Sequence, residues 1–197
     1  MEPPSLVLTP QHAHWPHRLD VRLGETAPPE LHAQGDPALL AAPLTALFCS
    51  ARCPGEAILR AYDQAAHWRD TGRAVIGGFH SPMEKECLRI LLRGPQPIIL
   101  CPARGLPQRL PPELHPALLA GRLLILSPFP DSEVRVTREL AERRNRLVAA
   151  LASEVWFAHI SPDGQMAELA ARCRAWFPAG LTQGVAQPLT GTQFRLG

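Results

Sequence analysis

Three clusters of residues carry the types and spacing that could hold an anion. Gly77-Gly78-Phe79-His80-Ser81 combines two glycines, which let backbone approach a ligand closely, with an aromatic ring, an imidazole and a hydroxyl. Arg144-Asn145-Arg146 sets two guanidinium groups, which grip phosphate oxygens in a bidentate fork, on either side of an amide. Ser50 and Arg52 add a hydroxyl and a third guanidinium after an apolar run. Ser127 and Gly164 stand after two later runs of the same kind. Each has a plainer reading: the double glycine as turn punctuation, Phe79 as core, the arginines as a solvated face. Position in the fold has to choose between them.

That position follows from the rhythm of the chain. Short apolar runs at 44–49, 73–76, 97–101, 122–126 and 155–160 alternate with longer stretches of helical character, the first spanning 56–69. Ser81-Pro82-Met83-Glu84 supplies an N-cap, a proline at the first helical position and an early acid, so a helix follows the double glycine. Strands of four to six residues joined by helices of a dozen imply parallel pairing through right-handed crossovers. The expected fold is α/β, a Rossmann-like three-layer sandwich with a mostly parallel central sheet. Ligands of such sheets bind outside the carboxyl ends of the strands, where Ser50, Arg52, Gly77-Gly78-Phe79-His80-Ser81, Ser127 and Gly164 fall. Residues 1–43, rich in proline and histidine and without sustained periodicity, read as an irregular N-terminal arm preceding the domain at 44–197.

On the long helix before the last of these strands, Val136, Leu140, Leu147 and Leu151 share one face, and Arg144 falls inside that stripe. A charge there either points into the crevice or pairs with a buried acid, because an unpaired buried ion is costly. The crevice is the reading adopted.

Composition narrows the function classes. With 46% hydrophobic and 19% charged residues the chain is globular, and its net charge of +2 excludes an all-over basic coat. Nineteen of the 20 basic residues are arginine, Lys85 being the exception. No apolar stretch reaches the roughly 20 residues of a membrane span, and the start Met-Glu-Pro-Pro lacks the basic region of a signal peptide, so a cytoplasmic location is expected. The five cysteines lack a paired CxxC, and His12, His14 and His17 stand beside Pro10 and Pro16 in a proline-rich segment where solvated histidines are the reading, so neither metal nor cofactor is expected.

The chain also resembles the Rossmann-like domain of the DprA/Smf (DNA-processing protein A) family. Leu31-His32-Ala33-Gln34-Gly35-Asp36-Pro37-Ala38-Leu39-Leu40 is similar to that family's lead-in to its first strand, and Ser50-Ala51-Arg52 sits where the family has Gly-Ser-Arg. Gly77-Gly78-Phe79 stands in place of a Ser-Gly-Leu-Ala-type loop. Arg144-Asn145-Arg146-Leu147-Val148-Ala149-Ala150-Leu151 closely resembles the family's Arg-Asn-Arg helix start. The resemblance implies a crevice that binds single-stranded DNA without catalysis, through Ser50, Arg52, Gly77, Gly78, Phe79, His80, Ser127, Arg144, Asn145, Arg146 and Gly164.

Two departures stand out. Ser81-Pro82-Met83-Glu84-Lys85-Glu86 replaces the family's Gly-Ile-Asp segment, and the winged-helix appendage that many members carry is lacking, so recombinase loading is not expected. With 6% aromatic residues, tight binding of a single strand would draw on a homodimer. The alternatives are a LOG-type nucleoside-monophosphate phosphoribohydrolase, with Glu168 as acid and Arg144 as phosphate clamp, or a small-nucleotide sensor or carrier.

Overall fold

The computed structural model describes residues 5–162 and 164–177, together with a short strand at 182–183. Residues 5–43 do not form the irregular arm expected of them. They supply β1 (Ser5–Leu8), α1 (Arg18–Leu23) and β2 (Leu31–Gly35). β1 pairs antiparallel with β2, and β2 pairs antiparallel with β6 (Leu123–Ser127), Ala33 facing Leu126. Strands of four and five residues, the second paired with a strand some ninety positions away, leave little periodicity to read. Only the tertiary pairing reveals them.

The remainder follows the expected alternation: β3 (Thr45–Phe48), α2 (Gly55–Asp70), β4 (Val75–Gly77), α3 (Pro82–Leu92), β5 (Ile98–Leu100), α4 (His115–Leu119), β6, α5 (Arg138–Leu151), β7 (Glu154–Phe157), α6 (Gln165–Cys173) and β8 (Thr182–Gln183). Among the described residues the sheet runs β1-β2-β6-β5-β4-β3-β7-β8, parallel from β6 to β8. This is the mostly parallel three-layer α/β sandwich. Helices α2, α3 and α4 cover one face through Ala61, Ala65, Cys87 and Leu118, while α1, α5 and α6 cover the other through Leu19, Leu147, Val148 and Leu169. Buried on both sides, the central strands are continuous apolar runs: Leu123, Leu124, Ile125 and Leu126 are all fully buried. Each such side chain contributes about 1.5–3 kcal/mol relative to exposure.

The N-terminal segment is tied to the domain by charge as well as by pairing. α1 lies along α5, and Arg18 Nη1 donates to the Leu151 carbonyl at 2.8 Å. Arg22 Nη1 donates to the Ala150 and Ala152 carbonyls and stacks its guanidinium 4.7 Å from the centroid of Phe177. Two cations thus answer the unpaired carbonyls at the negative end of α5. Burial lowers the Arg22 pKa from its usual value.

Because α2 leaves β3 toward one face and α6 leaves β7 toward the other, the adjacent ends of β3 and β7 form the point where the chain changes direction. The loops after β3, β4, β5, β6 and β7 gather along the same edge of the sheet.

Candidate functional site

Helix α5 places the central side chain. Thr137 caps it, its hydroxyl accepting from Leu140 N at 3.2 Å, and Leu140, Leu147 and Leu151 turn inward. Val136 precedes the helix and is 43% exposed, so the stripe begins one turn later than the sequence suggested. Arg144 shares the inward face and is only 6% exposed. Its Nη1 donates to the Cys101 carbonyl, just past β5, at 2.9 Å, and its Nε donates to Asn145 Oδ1 at 2.8 Å.

The guanidinium packs against Gly78, one residue past β4. A Cβ on Gly78 would stand 1.6 Å from Arg144 Nη1 and 2.1 Å from Cζ, so no side chain fits there beside the arginine. Here the glycine is needed for close approach.

No carboxylate of the described residues comes within ion-pair distance of Arg144. Burial lowers its pKa, and the field of Glu84 opposes that shift. Nη2 makes no hydrogen bond among the described residues, which leaves its N–H donors available. A nearly buried cation with spare donors and no counter-ion is an arrangement that an anion would complete.

Around this centre the sequence-derived residues divide. Gly77, at the end of β4, accepts from Cys101 N at 2.9 Å and packs against the Phe79 ring, leaving contact with the guanidinium to Gly78. Arg52 is exposed on the loop after β3 and forms no ion pair among the described residues. Asn145 gives its carbonyl oxygen to Arg144. Arg146 Nη2 donates to Glu142 Oε1 at 3.0 Å, while its Nε is buried without an acceptor.

Other members of the set have structural employment. Ser50 Oγ accepts from Ser161 N at 2.8 Å, and Ser161 Oγ donates to the Arg52 carbonyl at 3.3 Å, so these serines stitch the β3 and β7 loops together. Ser127 is fully buried, donating to the Arg104 carbonyl at 2.6 Å and accepting from Phe129 N at 3.1 Å, which removes it from contact with a ligand.

Phe79, expected as the stacking platform, is 4% exposed and packs with Met83 and Cys87 in the core beneath α2 and α3. Its φ of 46° is left-handed, costing about 1–3 kcal/mol that ring burial offsets. Turning back sharply after Gly78 is what drives the ring inward.

The positive end of α3 is not the open anion site that the sequence suggested. Ser81 and Glu84 form a capping box, in which Glu84 Oε2 accepts from His80 N at 3.1 Å and Ser81 N at 2.9 Å. Those amides are satisfied within the chain and are not free to hold an anion. The His80 side chain is exposed. Gly164 opens α6 with no side-chain cap. Asp163, beside it, lies outside the described residues, and Glu168, the acid of the phosphoribohydrolase alternative, is exposed on α6.

Sequence reasoning marked Glu84 only as an early acid of α3 and not as the charge whose field acts on Arg144, and it missed the Cys101 carbonyl. The Ser-x-x-Glu spacing could have marked Glu84 as a cap. No sequence signal marks a backbone carbonyl as an acceptor.

A sequence model described as DNA recombination-mediator protein A matches residues 6–161. The chain belongs to that family. The fold is that of DNA processing protein A from Helicobacter pylori, at a TM-score of 0.71 and 19% identity over 96% of this chain and 85% of that one. It is equally that of DNA processing protein A from Streptococcus pneumoniae, at a TM-score of 0.67 and 17% identity over 90% of this chain and 70% of that one. The Helicobacter protein binds single-stranded DNA, in a mode described as unique. A search of curated protein sequences returned no match.

Proposed function

We propose that this member of the DNA recombination-mediator protein A family is a non-catalytic nucleic-acid-binding module. It holds phosphates of single-stranded DNA at the carboxyl ends of β4 and β5. The observation that carries the reading is Arg144, a residue only 6% exposed whose guanidinium is seated on Gly78 and fixed by the Cys101 carbonyl, with Nη2 unbonded and no acid in contact among the described residues. Arg52, on the loop after β3, and Arg146, two residues further along α5, are the further phosphate partners in this reading. The single-stranded DNA binding of the Helicobacter protein supports the choice of ligand over a free mononucleotide.

With Phe79 inside the core, the reading relies on phosphates and not on base stacking, which predicts weak sequence preference and strong dependence on salt. Titration of fluorescein-labelled thymidine oligonucleotides of increasing length, with thymidine monophosphate alongside, tests it. Affinity should rise with length and fall with salt at a log–log slope of about −2, from about −0.7 for each of three phosphates. Saturable binding of the mononucleotide with no gain from length would contradict the proposal and favour a small-nucleotide carrier.

A further inference from the structure

One residue and about 100° around α5 from Arg144, the chain encloses a second concavity. It is a cleft of about 270 Å3 between the segment after α1 and the middle of α5, walled by Leu23, Thr26, Pro28, Pro128, Arg143 and Leu147. Its size falls just below that of sites for drug-sized ligands, about 300–1,000 Å3, and suits one nucleotide unit.

Arg143 is the feature that a solvated helix face does not explain. Elsewhere on the helices Arg60 pairs with Glu56 and Arg89 with Glu86, as surface arginines commonly do. Arg143 has Glu139 one turn earlier, at the spacing that favours such a pair, yet forms no ion pair or hydrogen bond among the described residues. Its guanidinium instead lies 5.2 Å from the centroid of the buried Phe129 ring. Stacking holds the group in place before any ligand arrives, which reduces the ordering cost of binding. Arg146 Nε, buried without an acceptor, belongs to a second residue lining the same cleft.

The remaining wall is apolar. Prolines 28, 29 and 128, with Leu23 and Leu147, offer rigid surface against which a sugar or base can rest. Glu25 is the acid at the lip, and it would oppose an anion there. Arg135 and Arg138, exposed and without ion pairs among the described residues, lie on the same approach to α5.

We propose that this cleft is a second nucleotide subsite for the strand held at Arg144, Arg143 taking a neighbouring phosphate while the proline floor takes the sugar or base. The inference rests on the single-stranded DNA reading above and extends the strand's path over α5. The test measures anisotropy of labelled thymidine oligonucleotides of two to twelve residues, at two salt concentrations, with wild type, Arg143→Ala and Glu25→Gln. Arg143 is exposed and unpaired, so its removal should leave the fold intact, which a thermal melt checks.

The shortest oligonucleotides should bind wild type and Arg143→Ala alike. Longer ones should lose about tenfold in the variant, the size of one charge-assisted contact. The salt slope for these should become shallower by about 0.7. Glu25→Gln should strengthen the longer oligonucleotides alone. Equal length dependence and slope in wild type and Arg143→Ala would overturn the subsite while leaving the Arg144 site standing. A loss by Arg143→Ala that is uniform across all lengths would overturn it too, since the residue would then serve the first site. Failure of wild type to bind any oligonucleotide would remove both proposals.

Discussion

Replacing Arg144 by alanine is the perturbation from which most can be learned. In the free protein the change removes a donor from the Cys101 carbonyl and empties the space above Gly78. An unsatisfied buried carbonyl costs about 1–3 kcal/mol, so some loss of stability accompanies any loss of binding. A charge-assisted contact to phosphate contributes about 1.5–3 kcal/mol, which corresponds to roughly 12- to 160-fold in affinity. Salt separates the two effects. With three phosphate contacts, wild type should lose about 18-fold between 50 and 200 mM salt, whereas two contacts should lose only about sevenfold. Anisotropy with a labelled oligonucleotide at both salt concentrations gives the two slopes, and circular dichroism establishes that the variant is folded at the assay temperature. Arg144→Lys keeps the charge but loses the planar fork, so it should restore the slope and only part of the affinity. A folded Arg144→Ala protein that binds as wild type does at both salts would refute the assignment of this guanidinium to phosphate.

Three other outcomes follow from the same geometry. Gly78→Ala should mimic the loss at Arg144, because its Cβ would overlap Nη1 and expel the guanidinium; oligonucleotide affinity near wild type would show that the arginine need not sit there. Arg22→Ala should lower stability by about 1–3 kcal/mol in urea unfolding, since it uncaps the C-terminal carbonyls of α5 and releases Phe177, and it should leave the salt slope unchanged. Burial pushes the Cys87 and Cys101 thiols up to about 12 and Cys173 to about 11, from 9.0. The folded chain therefore keeps protons that the unfolded chain releases above pH 9. Stability due to these thiols is complete below that pH and falls above it, by up to about 1.4 kcal/mol per unit for each. Urea unfolding at pH 8 and pH 10 reads this, and Cys101→Ala should lose less than wild type; equal losses would contradict the assignment.

The central order of elements was legible because each βα unit is local. An apolar run, a turn residue and a capped helix lie within thirty positions, and Ser81-Pro82-Met83-Glu84 announced the start of α3 within a residue. Arg144 stood out for a similar reason, being a charge in an apolar helical stripe. The roles of Ser50, Ser127 and Phe79 were not legible. Whether a hydroxyl is free or bonded to Ser161 or Arg104, and whether a ring faces a ligand or the core, depends on segments distant in sequence.

Taken alone, the sequence settled the parallel alternation, the edge of the sheet at which its glycines and arginines gather, and the anomalous charge on α5. These are written in periodicity and turn chemistry, which operate over a few residues. Tertiary structure decided that residues 5–35 extend the sheet, that Glu84 closes the positive end of α3, and that Gly78 and Arg144 meet face to face across 66 positions. Those outcomes depend on which distant groups satisfy one another's hydrogen bonds and volumes once the core has formed, and that competition has no local trace in the chain.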